Sequence, residues 1–263
     1  MKGLIEMTNN IIQITQNNAL VRIAFNRPEV LNALSAGMIS EVTDVFNTIT
    51  NDETVRVIVL EGNGKAFSAG ADLAYMKKSG ELGLEENERQ GTYLYQMYKA
   101  MEDCSKPIIA KAHGYAIGGG FGFLTLADIS IAEINTKFSL SEVKLGINPA
   151  VIGPFCVKKI GLTHFKALGI TGELIDTKQA LRIGLIHEIA SADSIETAVM
   201  KKVNQILAAG PNAIATFKSY CNDMKGTKGA KQIAELRASK EGQEGLAAFI
   251  EKRKPNWAET IDK

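Results

Sequence analysis

The sequence predicts an α/β fold, in which a series of βαβ units is followed by a helical C-terminal region. The chain has 263 residues, 45% of them hydrophobic, which is enough for a substantial core. Short β-branched runs alternate with runs of helical periodicity as far as Ala150. After Ala150, glycine and proline separate segments that are mostly helical. These observations favour α/β units with crossover helices.

The first part of the chain gives a regular order of elements. The runs IIQIT and LVRIAF predict two strands, and the QNNA between them is typical of a hairpin. Apolar residues at helical spacing from Met38 to Ile49 predict the next helix. Residues 55–62 then predict a strand, 86–105 a helix, 106–114 a buried strand and 127–133 another strand. Of the later segments, only LIHEIA reads as a strand. We therefore divide the chain into an α/β core, residues 1–195, and a helical region, residues 196–263.

Composition excludes several classes of function. A formal net charge of +1 provides no basic field for nucleic acid or for an anionic membrane. The three cysteines lack the spacing of a disulfide scaffold or a zinc site, which fits a reducing compartment. No apolar run is long enough to span a bilayer, and the N-terminus lacks the apolar core of a signal peptide. We expect a cytoplasmic protein with no metal, no nucleic-acid partner and no membrane partner.

Two stretches of small residues each lie between a strand and a helix: FSAGADL (67–73) and GYAIGGG (114–120). Small residues let a ligand approach the backbone, and the start of a helix leaves N–H groups unpaired. The glycines are not followed by Lys-Ser or Lys-Thr, and GGGFG does not match G-x-G-x-x-G, so neither phosphate-binding fingerprint fits. Together the two loops are able to offer two N–H groups to one carbonyl oxygen, as an oxyanion hole does. The alternative is that both are simply tight turns and close helix packing.

The order FSAGADL, GYAIGGG, FSLSEVKLGINP resembles the crotonase family, the enoyl-CoA hydratases and isomerases. The resemblance extends from FNRPEVLNALS to GLAAFIEKRKPNW. It implies a crotonase-like spiral of βαβ units and an acyl-CoA thioester substrate. It implies no cofactor, because CoA enters as part of the substrate. It also implies a homotrimer or homohexamer, with residues 196–263 used in trimerisation and CoA binding.

The resemblance also assigns roles to individual residues. The backbone N–H groups of Ala71 and Gly119 are expected to bind the thioester oxygen, and the Glu142 carboxylate is expected to move a proton. Glu142 lies among apolar neighbours, and burial there is expected to raise its pKa. Asp72 is in addition a candidate helix N-cap. The residues expected to bind the CoA or acyl part are Val30, Leu31, Ala33, Ser68, Ala69, Gly70, Asp72, Leu73, Tyr115, Gly118, Gly122, Phe249 and Lys252.

One position departs from the family pattern. Gly122 stands where two-carboxylate hydratases have a second glutamate. Three functions remain open. The first is a hydratase whose sequence most resembles the bacterial methylglutaconyl-CoA hydratases of leucine breakdown. Such substrates carry their own carboxylate, for which Gly122 is expected to leave room. The second is a Δ3,Δ2-enoyl-CoA isomerase with Glu142 as the single proton shuttle. The third is a non-catalytic acyl-CoA-binding protein. We rank them in this order.

Overall fold

The computed structural model describes residues 5–8, 11–222 and 229–261. Its strands, in chain order, are β1 (Ile5–Thr8), β2 (Ile12–Asn17), β3 (Leu20–Phe25), β4 (Val57–Gly62), β5 (Ile108–Ala112), β6 (Tyr115–Ile117), β7 (Ile129–Glu133), β8 (Lys137–Ser139) and β9 (Glu188–Ala190). Its α-helices are α1 (Ala36–Ile49), α2 (Leu73–Gly80), α3 (Leu84–Asp103), α4 (Gly119–Leu126), α5 (Gly153–Thr171), α6 (Thr177–Arg182), α7 (Ile195–Leu207), α8 (Pro211–Asn222), α9 (Gly229–Ala238) and α10 (Lys240–Ile250). Short 3-10 turns span Pro28–Val30 and Glu142–Leu145.

The main sheet has the strand order β1-β2-β3-β4-β5-β7-β9. The pairs β1–β2 and β2–β3 are antiparallel, which confirms the predicted hairpin, and each later pair is parallel. The parallel part, with helices between most of its strands, confirms the predicted α/β class. The carboxyl ends of parallel strands share one edge of a sheet, so the loops that follow β4 and β5 emerge on the same side.

The core lies on both faces of this sheet. In β4, Ile58 and Leu60 pack with α1, α3 and α4 on one face, whereas Val57 and Val59 pack with α7 on the other. All four side chains are fully buried. A parallel strand covered on both faces is expected to be a continuous apolar run, as VIVL is. This packing fixes the direction in which the chain leaves β4 towards the first small-residue loop.

Two short strands differ from the sequence prediction. We expected a plain loop between β5 and the glycine-rich helix, but Tyr115–Ile117 forms β6 and pairs in parallel with β8 in a separate two-stranded sheet. Three-residue strands are too short to show a period of two in the sequence, so the pattern did not reveal them. The pairing positions the chain just before the GGG segment.

The C-terminal helices pack near the amino end of β5. Lys218 of α8 donates from Nζ to Asp128 Oδ2 at 2.7 Å and to the Lys106 carbonyl at 3.0 Å. The Glu241 carboxylate of α10 accepts the backbone N–H groups of Asn212 and Ala213, at the start of α8. Within the ranges described above, no helix combines the length and the apolar character needed to cross a membrane.

Candidate active site

The GGG segment forms the amino end of a buried helix. Gly118 precedes α4 with φ 50° and ψ −114°, a conformation that favours glycine, and its N–H donates to the Ser139 carbonyl at 2.8 Å. Gly119 is the first residue of α4, and its N–H finds no acceptor in the described part of the chain. The unpaired N–H groups and partial positive charge of a helix start favour an oxygen that carries negative charge.

The second loop is held by backbone bridges. Ser68 pairs with Ala116 of β6, and Ala71 pairs with Leu34. Leu34 N–H donates to the Gly70 carbonyl at 2.6 Å, and Asp72 N–H donates to the Leu34 carbonyl at 3.0 Å. These bonds involve the Gly70 carbonyl and the Asp72 N–H, which flank Ala71. The Ala71 N–H itself has no acceptor among the residues that the structure describes. Ala71 is exposed, so this N–H is accessible to a ligand.

Two glycines bring the loops into contact. A Cβ at Gly70 would lie 2.8 Å from the Ile117 carbonyl oxygen, and a Cβ at Gly120 would lie 2.4 Å from the Ser68 carbonyl oxygen. Either contact is too short for a side chain, so both positions need glycine. Ala71 follows Gly70, and Gly119 precedes Gly120, so these contacts bring together the two backbone segments that carry the unpaired N–H groups. That both N–H groups bind one thioester oxygen stays a prediction.

Glu142 lies beside the start of this helix. A Cβ at Gly118 would be 3.2 Å from Glu142 Oε1, so the carboxylate is in close contact with the backbone at Gly118. Oε2 is buried and has no hydrogen-bond partner within the described ranges. Burial raises the pKa of the Glu142 carboxyl above its ordinary value, as the sequence predicted. A carboxylate with a raised pKa and one buried oxygen without a hydrogen-bond partner among the described residues is suited to accept and return a proton.

The residues predicted to contact CoA from the early loop also lie here. Val30 ends a 3-10 turn and is exposed, and the Leu31 carbonyl accepts the Ala69 N–H at 2.9 Å. Ala33 is buried, and its N–H donates to the Val30 carbonyl. Leu73, the first residue of α2, is 78% exposed. The structure therefore groups these residues with the loop of Ala71, while their contact with CoA stays a prediction.

Asp72 has a structural use that leaves it no free oxygen for substrate. Its Oδ1 accepts the Ala74 and Tyr75 N–H groups, which confirms the predicted N-cap, and its Oδ2 accepts from Arg27 at 2.7 Å. The Arg27 hydrogen bond holds the pKa of Asp72 below its ordinary value. The side chain is therefore used inside the fold, and a contact of Asp72 with CoA stays a prediction. Sequence reasoning also missed Arg27, because its partner lies 45 residues away.

Ser68 is likewise used inside the fold. Its side chain is fully buried, and Oγ donates to the Asn32 carbonyl at 2.9 Å, so the hydroxyl cannot reach CoA. Asn32 was not predicted as a site residue. It has φ 55°, and its amide donates to the Asn63 and Ala66 carbonyls. These bonds tie the early loop to the small-residue loop, and the asparagine in VLNALS was the only signal for them.

The space predicted at Gly122 does not exist. A Cβ there would lie 2.8 Å from Ile152 Cγ2 and 3.1 Å from Tyr98 Cε1 and Cζ. The position is filled by neighbouring side chains, so it cannot receive a substrate carboxylate. Cys156 lies in the same region and is buried, and burial raises the pKa of its thiol to about 12. The thiol is therefore neutral near pH 7 and is not an activated nucleophile.

Three of the residues predicted to contact the CoA or acyl part are exposed: Tyr115, Phe249 and Lys252. Tyr115 is on β6, and its side chain is 45% exposed. Phe249, on α10, is 84% exposed, and Lys252 follows with φ 55°. Because α10 packs on α8 near the amino end of β5, a single chain does not bring Phe249 and Lys252 to the loops at the carboxyl ends. The described residues also include no group of three or more His, Cys, Asp or Glu able to hold a metal ion.

Comparison with known proteins agrees with this geometry. The sequence profile described as enoyl-CoA hydratase/isomerase matches residues 15–260, so the chain belongs to that family. It is 32% identical to a crotonyl-CoA hydratase of Syntrophomonas wolfei, over 94% of this chain and 97% of that protein. It is also 32% identical to a short-chain-enoyl-CoA hydratase of Clostridium acetobutylicum, over 94% and 96%. The crystal structure of an enoyl-CoA hydratase from Shewanella pealeana superimposes with a TM-score of 0.89 at 34% identity, covering 94% of this chain and 96% of that one. The predicted crotonase-type fold is confirmed, and these relatives indicate a lyase of the hydratase type.

Replacing Asp72 tests its structural role. We expect Asp72→Ala to lower the free energy of unfolding by about 1–2 kcal/mol, since the α2 cap and the partner of Arg27 are both lost. Asp72→Asn keeps an oxygen for the cap and should lose less. Chemical denaturation at pH 7 measures both values. An Ala variant as stable as the wild type would contradict the assignment.

Proposed function

We propose that this protein adds water to an α,β-unsaturated short-chain acyl-CoA, with Glu142 as its single catalytic carboxylate. The observation that carries the proposal is the Glu142 carboxylate next to Gly118, whose buried Oε2 has no hydrogen-bond partner among the described residues, at the start of α4. The family match supports an acyl-CoA thioester substrate. The names of the two bacterial relatives support hydration of a short acyl chain.

In the proposed reaction, the thioester oxygen accepts hydrogen bonds from Ala71 N–H and Gly119 N–H. Glu142 takes a proton from water while the water oxygen bonds to C3, and the C2–C3 π electrons move into the thioester as an enolate. The two N–H donors stabilise the enolate oxygen. The enolate then re-forms the thioester carbonyl, and C2 takes the proton from the Glu142 carboxyl. One carboxylate thus supplies both proton transfers, and the net change is addition of H and OH.

A cavity beside α1, α2 and α3 is the space that we propose for the acyl group. It has a volume of about 380 Å³ and adjoins the amino end of α1. Its walls include Ile39, Tyr75 and Tyr93, together with the carboxylates of Asp44 and Glu86, and no Lys or Arg lines it. Such a cavity favours an uncharged acyl chain over one with its own carboxylate. A 3-methylglutaconyl-CoA substrate was expected to use a space at Gly122 that neighbouring side chains fill. We therefore propose a substrate whose acyl chain is uncharged.

A second candidate function follows from the absence of a carboxylate at Gly122. One carboxylate is sufficient for a Δ3,Δ2-enoyl-CoA isomerase, in which Glu142 removes a proton from C2 and returns it to C4. The same N–H donors would stabilise the dienolate. Isomerisation and hydration differ in whether oxygen from water enters the product, so they are separable by experiment.

The positions of Phe249 and Lys252 bear on assembly. Leu246, Phe249 and Ile250 of α10 are at least half exposed, which is unfavourable for an isolated chain. We propose that the protein forms a homotrimer or homohexamer, in which this end of α10 approaches the CoA site of a neighbouring subunit. Light scattering of the purified protein measures the assembly, and a monomer that is fully active would contradict the proposal.

A panel of thioesters in H₂¹⁸O tests the proposed function. We expect crotonyl-CoA to gain one ¹⁸O and to react faster than 3-methylglutaconyl-CoA. Conversion of 3-hexenoyl-CoA to the 2-enoyl isomer without ¹⁸O, and with no hydration of crotonyl-CoA, would instead establish the isomerase. Binding of these thioesters without turnover would establish the non-catalytic alternative and overturn both enzymatic proposals.

A further inference from the structure

Tyr98 lies directly behind the proposed oxyanion helix. Its side chain, on α3, is fully buried, and its hydroxyl donates to the Gly119 carbonyl at 2.9 Å. A Cβ at Gly119 would lie 3.0 Å from the same hydroxyl oxygen. The ring of Tyr98 is part of the hydrophobic core. Its hydroxyl, however, binds the residue whose N–H is proposed to hold the substrate oxygen.

The ring of Tyr98 also occupies the volume next to Gly122. Any side chain at residue 122 would meet the ring at 3.1 Å, and the ring is held in place by Phe123 and Phe155, with centroid separations of 5.5 and 6.0 Å. A side chain at residue 122 would therefore press on the Tyr98 ring and, more closely, on Ile152, whose Cγ2 would lie 2.8 Å from its Cβ. Tyr98 and Ile152 together thus favour glycine at residue 122.

The phenol is held in its neutral form. Burial raises the pKa of Tyr98 well above its ordinary value, and the nearby Cys156 and Glu142 raise it further. A neutral hydroxyl keeps its proton and continues to donate to Gly119 near pH 7. It is not exposed to the cleft, so it does not touch a substrate, and any influence on the reaction passes through Gly119.

This bond adds a restraint on the first turn of α4, beside the bonds of Gly118, whose N–H donates to the Ser139 carbonyl and whose carbonyl accepts the Gly122 N–H. Gly118, Gly119 and Gly120 have no side chains to limit their dihedral angles. An oxyanion donor is effective only if its N–H already points to the position where charge develops. Fixing the Gly119 carbonyl limits the rotation of that residue and so limits the direction of its N–H.

On the basis of the proposed function, we propose that Tyr98 is a positioning residue of the oxyanion hole. Its hydroxyl holds Gly119 in the orientation that donates to the substrate oxygen, and its ring fills the space beside Gly122.

Tyr98→Phe tests the hydroxyl alone, because the ring remains. We expect kcat to fall about 3- to 10-fold, the scale of one hydrogen bond, with KM and the melting temperature almost unchanged. The second readout is 4-(dimethylamino)cinnamoyl-CoA, a thioester whose absorption moves to longer wavelength when its carbonyl is polarised. Its shift on binding should be smaller in Tyr98→Phe. Tyr95→Phe, on the same helix with an exposed side chain, is the matched control and should leave both readouts unchanged.

Unchanged kcat and an unchanged absorption shift in Tyr98→Phe would overturn the proposal, as would losses matched by Tyr95→Phe. A wild type that hydrates nothing but still shifts the chromophore, with a smaller shift in Tyr98→Phe, would overturn the proposed function and support the positioning role. A wild type that neither hydrates nor shifts the chromophore would overturn both.

A second pair of variants tests the coupling of the two positions. Gly122→Glu should lower the melting temperature strongly, because Tyr98 and Ile152 occupy the space. Adding Tyr98→Ala should return part of the lost melting temperature, so that the two changes are non-additive. Strict additivity would overturn the inference that the Tyr98 ring fills the space beside Gly122.

Discussion

Glu142→Gln is expected to lower kcat for hydration by about 10²- to 10⁴-fold, the usual contribution of a general acid–base group. The amide keeps the size of the side chain but cannot take a proton from water. Since residue 122 is a glycine and provides no second carboxylate, the loss of kcat should be at the upper end of that range. KM should change little, because the thioester is held by backbone N–H groups. Steady-state kinetics with crotonyl-CoA measure both constants.

Glu173→Gln is a matched control for this variant. Glu173 is an exposed glutamate, and the structure gives its side chain no role at the site. It should retain wild-type kcat. A Glu142→Gln variant that keeps more than about a third of the wild-type kcat would fall far short of a general-base effect and would contradict the role of Glu142.

The pH dependence should follow the raised pKa of Glu142. Glu142 must be ionised to accept a proton, so kcat/KM should fall as the pH drops through a pKa higher than that of an ordinary glutamate. The stability of the fold should instead fall as the pH rises. The raised pKa of Glu142 in the folded state means that its protonated form stabilises the fold. This stabilisation is complete below the pKa of Glu142 in the unfolded chain, and it is lost as the pH rises through the pKa in the folded protein. Glu142→Gln should therefore melt higher than the wild type at pH 8, with the difference shrinking as the pH falls. A pH–rate profile and melting curves measure these trends, and an acidic limb at the ordinary glutamate value would contradict them.

The main sheet and the two small-residue loops were predictable because their signals are local. β4 is a continuous apolar run, and the loops contain glycines that a close backbone contact requires. Glu142 was predictable from the resemblance carried by SEVKLGINP. That its Oε2 is buried without a hydrogen-bond partner among the described residues was not predictable, since this depends on how β8, the 3-10 turn and α4 pack together.

The parts that sequence reasoning missed depend on contacts between distant segments. The ion pair of Asp72 with Arg27 joins residues 45 positions apart, so no local pattern indicates it. The predicted space at Gly122 is filled by Ile152 and by Tyr98 from α3. A glycine in a sequence shows only that no side chain is attached there. Whether the space is empty depends on residues that the local pattern does not identify.

Ala71→Pro is expected to lower kcat/KM about 10²- to 10³-fold, the effect of removing one oxyanion donor. Proline has no backbone N–H, and the Ala71 N–H makes no hydrogen bond to the described part of the chain, so the change removes no known bond of the fold. The bridge to Leu34 uses the Gly70 carbonyl and the Asp72 N–H, and both remain. The residue is exposed, which gives the ring space on the cleft side. Steady-state kinetics with crotonyl-CoA measure the loss.

Free CoA separates the loss of a donor from damage to the loop. CoA has no thioester carbonyl, so its dissociation constant should be the same in Ala71→Pro and in the wild type, whereas binding of a thioester should weaken. Ala71→Ser keeps the N–H and is the matched control, with kcat/KM expected to stay close to the wild type. If Ala71→Pro weakens free CoA and thioester equally, the variant has distorted the loop of Ser68 to Asp72. If it keeps wild-type kcat/KM, the thioester oxygen does not depend on the Ala71 N–H, and the two-donor oxyanion hole is wrong.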